Sequence, residues 1–369
     1  MERVTNLLEW AVREKVFPGA VLLVAVEGKI RLLHACGLAN LFTDRKMATD
    51  TIFDLASLTK SLAAVPAVMK LSDAGLIDMK GSLETCLPEL AGTDKACIQI
   101  IHLLVHSAGF PDHRPYYLRL DTVPAEMRKT ALREMLVMEP LAYHPEEKTL
   151  YSDLGFMMLE WVIERIAGMP LDRFLQQSVY GPAGLKNLFF QNNLFPRTGS
   201  FAATEICHWR GRLLEGEVHD ENAWAAGGVA AHAGLFGTAE EVFRLLHHLF
   251  ECRAGIRRDG LFSKNTAGYF FSPFGNTGRC PGFDRPSGTE PSCGRFFSAN
   301  TAGHLGFTGT SFWMDLDRAV TVILLSNRVH PSRKNIRIRA FRPLIHNAVM
   351  EALKMDTFLK RESQEILYL

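Results

Sequence analysis

The sequence predicts an α+β fold in which one antiparallel sheet is assembled from both chain ends and a mainly helical segment is inserted between them. Three observations lead there. Strand patterns lie near the two termini, apolar spacing of three and four residues dominates the middle, and no Ser- or Gly-rich linker or internal repeat divides the chain. At 369 residues the chain exceeds the roughly 250 to 300 at which a single core stops growing, so two lobes sharing one cleft are expected. The expected partition is residues 1–55 with 226–369 as the sheet lobe and 56–225 as the mainly helical lobe.

Taken in order, residues 1–12 mix Glu2, Arg3 and Glu9 with Leu7, Leu8 and Trp10, a helical pattern without the apolar stretch of an export signal. After Pro18 and Gly19, the apolar run 20–26, the turn Glu27-Gly28 and the run 29–36 read as an antiparallel hairpin. Helical spacing then marks 62–71, 126–138, 154–166, 171–179 and 239–250. Residues 276–300, rich in Gly, Pro and Ser, read as a long loop, a length that more often accompanies function than tight packing. A second hairpin follows from 311–315, Leu316-Asp317 and 318–325, and a helix over 338–353 closes the pattern.

Composition narrows the function. Hydrophobic residues at 47% and charged residues at 22% suit a soluble globular protein and exclude disorder. Lys plus Arg (41) balances Asp plus Glu (40) for a net charge of +1, without the positive excess that nucleic-acid binding needs. The longest apolar runs, 19–26 and 319–325, fall well short of the ~20 residues that cross a bilayer, so no membrane partner is expected. Seven scattered cysteines, never spaced C-x-x-C, indicate neither a disulfide framework nor a zinc ribbon, and reduced thiols in a cytoplasm fit best.

The chemistry concentrates in three places. Ser57-Leu58-Thr59-Lys60 opens a helical run, and residues three apart share a helix face, so hydroxyl and amine can meet. An amine relieved of its charge by burial can take the Ser proton during attack, and a helix N-terminus offers N–H groups to an oxyanion. Tyr151-Ser152-Asp153 follows about ninety residues later, and His304-Leu305-Gly306-Phe307-Thr308-Gly309-Thr310 lies just before the strand beginning at Ser311. An S-x-x-K, a polar triplet and a K-T-G-like element in this order form a known catalytic set.

On these motifs the chain resembles the serine β-lactamase and penicillin-binding protein superfamily, most closely its class C and esterase-like branch. Phe17-Pro-Gly-Ala-Val21, Leu103-Leu-Val-His-Ser-Ala-Gly109, Val218-His-Asp-Glu-Asn-Ala223 and Gly227-Gly-Val-Ala-Ala-His-Ala-Gly-Leu-Phe236 extend the likeness over most of the chain. The resemblance implies a β-lactamase/transpeptidase-like fold and an acyl-enzyme on Ser57, with Lys60 as activator and Tyr151 as proton shuttle. It implies an oxyanion hole from the N–H groups of Ser57 and Phe307, the residue after Gly306. No metal or organic cofactor is implied, and the partner is a small-molecule or short-peptide substrate.

Two departures bear on substrate and mechanism. Asp153 stands where many relatives have Asn; its charge favours the Lys60 ammonium, a poor base, yet also disfavours a tyrosinate whose ordinary pKa is ~10. The division of labour between Lys60 and Tyr151 stays open. His304 stands where β-lactam-recognising members have Lys, and with an ordinary pKa of ~6.5 it is mostly neutral at neutral pH. Attraction for a substrate carboxylate is thereby weakened, which favours esters and amides over β-lactams.

Other candidates read as structural. His102 and His106 have zinc-ligand spacing on an apparent helix but lack the Glu of H-E-x-x-H, so a structural or active-site-rim role is expected. The resemblance implies that His219, Asp220 and His232 lie near the cleft, where hydrogen bonding to backbone is expected and direct chemistry is the alternative. Arg328, Arg333, Lys334, Arg337, Arg339 and Arg342, without an acidic residue among them, read as a solvated basic face, with contact to an anionic substrate as the alternative. Cys207 and Cys293 flank no base, and Gly227-Gly228 lacks the partners of a phosphate loop. The expected activity is a serine hydrolase for a small ester, amide or peptidoglycan-derived peptide. The alternatives are a β-lactamase, a D-amino-acid carboxypeptidase or aminopeptidase, and a non-catalytic or covalent ligand-binding sensor.

Overall fold

The computed structural model describes residues 1–366, those after 354 as helix backbone alone. Strands β1 (Gly19–Val26), β2 (Lys29–Asn40) and β3 (Arg45–Lys46) come from the N-terminal end. Strands β4 (Phe53–Asp54), β5 (Leu188–Phe190), β6 (Ala203–Cys207), β7 (Arg212–Glu215) and β8 (Leu235–Gly237) lie in the middle, and β9 (Thr301–Leu305), β10 (Ser311–Asp315) and β11 (Val320–Ser326) near the C-terminal end. The main antiparallel sheet has the order β3-β2-β1-β11-β10-β9, so strands from the two chain ends meet where β1 pairs with β11 from Ala20↔Ser326 to Val26↔Val320.

The first hairpin closes through Glu27 at φ 50° and Gly28 at φ 75°. Two consecutive left-handed residues match the strand twist, and only Gly escapes the steric cost. Strand β1 is apolar throughout because both faces are covered. Ala20, Leu22 and Val24 pack on a rear layer with Val4, Leu8, Ile345 and Val349; these come from helices α1 (Glu2–Arg13) and, at the C-terminal end, Ile338–Ile366. Val21, Leu23 and Ala25 face the main core with Leu62, Val68, Leu159 and Leu246. Those residues belong to the segment around α2 (Val65–Asp73) and to the helices Asp153–Ala167 and Ala239–Ala254.

The structure corrects the expectation that strands sit only at the termini and in two hairpins. Short strands form the sheets β4-β8-β5 and β6-β7 within the stretch expected to be helical and loop. At two to five residues each they are too short for a periodic signal. Strand β9 also escapes the sequence pattern because Gly303 interrupts it; a Cβ there would lie 2.3 Å from Trp313 Cε3, so glycine is what lets β9 lie against its partner. Among the described residues no helix is long and apolar enough to cross a membrane.

Candidate active site

Strand β4 ends three residues before Ser57, and the intervening turn is tight. The buried Asp54 carboxylate accepts from the Ala56 N–H at 2.8 Å and from the His219 N–H at 2.6 Å. Ala56 is left-handed at φ 48°, a conformation that costs a non-glycine residue about 1–2 kcal/mol and is held here by those bonds. Ser57 emerges half-buried, and the backbone then widens into a π turn over Lys60–Ala64 before α2 continues. Such widened turns recur at functional sites.

Lys60 is fully buried. Its Nζ donates to Ser57 Oγ at 3.2 Å, to Asp153 Oδ1 at 2.7 Å and to the His232 carbonyl at 3.1 Å, which uses all three protons of an ammonium. Burial alone would push this group to release its proton, but the charge of Asp153, with Tyr151, overrides it and holds the pKa above the ordinary lysine value. Asp153 reaches Lys60 because Ser152 caps the helix α3 (Asp153–Ala167), its hydroxyl accepting from the Gly155 N–H at 3.2 Å.

Tyr151, the residue before that cap, lies with its ring centroid 4.8 Å from Lys60 Nζ. Burial raises its phenol pKa; Lys60 pulls it down and Asp153 pushes it up again. His106 holds this segment in place: its Nδ1 accepts from the Ser152 N–H at 3.0 Å and its ring lies 4.5 Å from that of Tyr151. Burial, followed by the charges of Arg279 and Lys60, keeps His106 well below its ordinary pKa, consistent with a neutral acceptor.

The third element forms the opposite wall. His304, in β9, is 2% exposed with its ring 6.0 Å from that of Tyr151 and its Nδ1 2.9 Å from the Leu305 carbonyl. Burial pushes its pKa down to about 4, so the imidazole is neutral at neutral pH. The following turn is tied to the Ser57 segment by Thr308 Oγ1, which donates to the Asp54 carbonyl at 2.8 Å, and Thr310 Oγ1, which donates to the Leu55 carbonyl at 3.0 Å. Gly306 is required there, since a Cβ would lie 2.0 Å from Thr310 Oγ1 and 2.8 Å from the Leu55 carbonyl. Among the described residues neither the Ser57 nor the Phe307 N–H has a hydrogen-bond partner.

The remaining sequence candidates divide. His232 gives its carbonyl to Lys60, while its Nε2 lies 3.0 Å from Asp220 Oδ1. The His219 ring lies 5.5 Å from that of Phe307. The expected helix joining His102 to His106 ends at Leu104, and His106 itself is left-handed at φ 60°. In the basic stretch Lys334, Arg337 and Arg339 are exposed, as a solvated face requires, and Arg333 is half-buried, but Arg328 and Arg342 depart from that reading. Arg328 and Arg342 are 7% and 6% exposed. Arg342 Nη2 donates to the carbonyls of Thr310 at 2.8 Å and Gly306 at 3.3 Å, and Arg328 Nε to that of Phe307 at 2.8 Å. A charge pattern without periodicity carries no sign of such burial, which depends on carbonyls distant in sequence.

Arg279 was not singled out by the sequence. It comes from the 276–300 loop, pairs with Asp284, and has its guanidinium 5.7 Å from the Tyr151 ring. Asp284 in turn bridges Gly303 on the free edge of β9. Arg279, Arg285, Thr149, Ser287 and Leu305 are among the residues around a polar cavity of about 370 Å³.

This combination of fold and site defines a class, the serine hydrolases built on the β-lactamase and penicillin-binding protein scaffold. A family model described as Beta-lactamase matches residues 4–345, and the chain belongs to that family. It is 33% identical to a Salmonella gallinarum protein named "Putative D-alanyl-D-alanine carboxypeptidase", over 87% of this chain and 81% of that one. Among solved structures it resembles EstCE1, described as a hydrolase with promiscuous acyltransferase activity, with a TM-score of 0.72 at 22% identity over 93% of this chain and 98% of that one. It also resembles the octameric penicillin-binding protein homologue from Pyrococcus abyssi, with a TM-score of 0.69 at 19% identity over 93% and 77%. Both structural likenesses concern the fold.

Proposed function

We propose that the protein hydrolyses a small ester, amide or short peptide through an acyl-enzyme on Ser57, in a cleft between the lobe of residues 1–55 and 226–369 and the lobe of residues 56–225. The observation that carries this reading is the 3.2 Å contact of Ser57 Oγ with Lys60 Nζ, together with the Ser57 and Phe307 N–H groups, which have no partner among the described residues. At rest Lys60 is an ammonium and Tyr151 a phenol, so the reactive fraction is the one in which Lys60 has lost its proton. Ser57 Oγ then bonds to the substrate carbonyl carbon as its proton passes to Lys60, and the carbonyl oxygen becomes an oxyanion facing the two N–H groups. The oxyanion re-forms the carbonyl as the bond from its carbon to the leaving group breaks, and Tyr151 gives its proton to the departing atom and regains one from Lys60, which leaves the acyl-enzyme on Ser57. A water molecule reverses the sequence and releases the acid.

A second reading is supported by Arg279. Neutral His304 offers no cation to a substrate carboxylate, whereas Arg279 beside the Tyr151 ring, although paired with Asp284, and Arg285 bring guanidinium groups to the neighbouring cavity. That favours a peptide with a free carboxylate, the substrate class in the name of the Salmonella relative, over an uncharged ester. Initial rates on a short-chain nitrophenyl ester, a chromogenic cephalosporin and a D-Ala-D-Ala peptide separate the readings. The ester is expected to turn over faster than the cephalosporin, and the opposite ranking overturns the main reading. Release of D-Ala that Arg279→Ala abolishes while sparing the ester selects the second.

A further inference from the structure

Arg342 enters from the C-terminal helix (Ile338–Ile366), and Arg328 from the segment after β11. No carboxylate pairs with either among the described residues. Their partners are main-chain carbonyls: Gly306 and Thr310 for Arg342, and Phe307, Arg333 and Asn335 for Arg328. A buried guanidinium without a counter-ion is costly, and an apolar side chain of similar volume would spare that cost. Burial, followed by mutual repulsion among Arg328, Arg339 and Arg342, lowers Arg342 to about 9, which records the same expense. The position of the charge offers a reason for it. The Gly306 carbonyl and the Phe307 N–H belong to one peptide unit, and a donor at the oxygen strengthens the N–H at the other end through cooperative polarisation.

We propose that Arg342 is a positioning residue for the oxyanion hole: its guanidinium polarises the Gly306–Phe307 peptide and so strengthens the Phe307 N–H as a donor to the developing oxyanion. This inference rests on the acyl-enzyme reading above. The nearby charges Lys60 and Asp153 compensate one another at 2.7 Å, whereas the charge of Arg342 is uncompensated and is felt along the peptide. A role confined to packing the turn would need the hydrogen bonds or the volume, and would not need the charge.

The test compares Arg342→Met and Arg342→Lys with the wild type by ester kinetics, by affinity for phenylboronic acid, which forms a tetrahedral adduct, and by the infrared carbonyl stretch of the acyl-enzyme. Arg342→Met is expected to lower kcat about tenfold with little change in KM, less than the loss of a whole oxyanion donor. It should weaken phenylboronic acid by a similar factor and raise the carbonyl stretching frequency, while Arg342→Lys restores most of each loss. A Met variant with wild-type values, or Met and Lys variants equally impaired, overturns the inference. If the Met variant does not fold, the Lys variant decides: a folded Lys variant that keeps the wild-type carbonyl frequency supports the inference, and one that loses it refutes it. Acylation of the wild type at Ser57 with an unchanged Met variant refutes this inference alone, whereas a wild type that never acylates also removes the reading beneath it.

Discussion

The Ser57 segment and the 306–310 turn treat buried charge in opposite ways. Around Ser57 the charges are paired, with the Lys60 ammonium satisfied by Asp153, Ser57 and a carbonyl. Around the 306–310 turn they are unpaired, with Arg342 and Arg328 directed at carbonyl oxygens. Pairing fixes the Lys60 ammonium in place beside Ser57 and makes release of its proton the costly step. An uncompensated cation suits a wall that must meet a negative charge appearing only during reaction. The charge balance of +1 over the whole sequence conceals this local division.

Removing the lysine from the paired wall should have the largest effect. Lys60→Met is expected to slow acylation by on the order of 10³-fold in a stopped-flow ester assay, the range of a lost general base. It should leave the Asp153 carboxylate without its partner and lower the melting temperature as well. Retention of near wild-type acylation would assign the base role elsewhere. On the opposite wall, Gly306→Ala forces a methyl into the space of Thr310 Oγ1 and the Leu55 carbonyl. A loss of about 2 kcal/mol in denaturant stability is expected from such overpacking, with kcat reduced about a hundredfold; a variant with unchanged kcat would dissociate the turn from the reaction.

The pairing itself is sharpened by pH. On the proposed mechanism activity requires Lys60 to shed its proton, and Asp153 holds that proton on, so kcat/KM should rise with pH across the neutral and alkaline range. Asp153→Asn removes the charge that raises the Lys60 pKa, and the rising limb should move down by about one pH unit. A limb that stays in place would show that Lys60 does not govern it. Stability, too, should respond to pH. Burial pushes His346 down to about 4, while an unfolded histidine titrates near ~6.5. A depressed histidine leaves stability intact above the unfolded pKa and removes it as pH falls from about 6.5 toward 4, because the unfolded chain then binds the extra proton. His346→Gln should flatten the decline in unfolding free energy over that window by up to about 3 kcal/mol; an unchanged slope would count against a neutral buried imidazole.

Much of the fold is legible in the sequence where packing imposes a pattern on both faces. The continuous apolar run of β1 reads as a strand because the rear helices and the main core each claim one set of its side chains. The spacing of Ser57 and Lys60 reads as a pair because one helical turn separates them. Strand β9 does not read as one, since Gly303 weakens its pattern for the sake of contact with Trp313. His106 lies in a segment that resembles the family, yet its partner Ser152 is 46 positions away. The burial of Arg342 is the least legible feature, because it depends on carbonyls of a turn more than thirty residues earlier.

The central claim is an activated Ser57. Intact-protein mass after incubation with a fluorophosphonate probe, with Ser57→Ala as control and peptide mapping to locate the adduct, tests it most directly. The account predicts a single adduct on Ser57 that the alanine variant lacks; folded wild-type protein that stays unmodified, or an adduct that persists in Ser57→Ala, would contradict it.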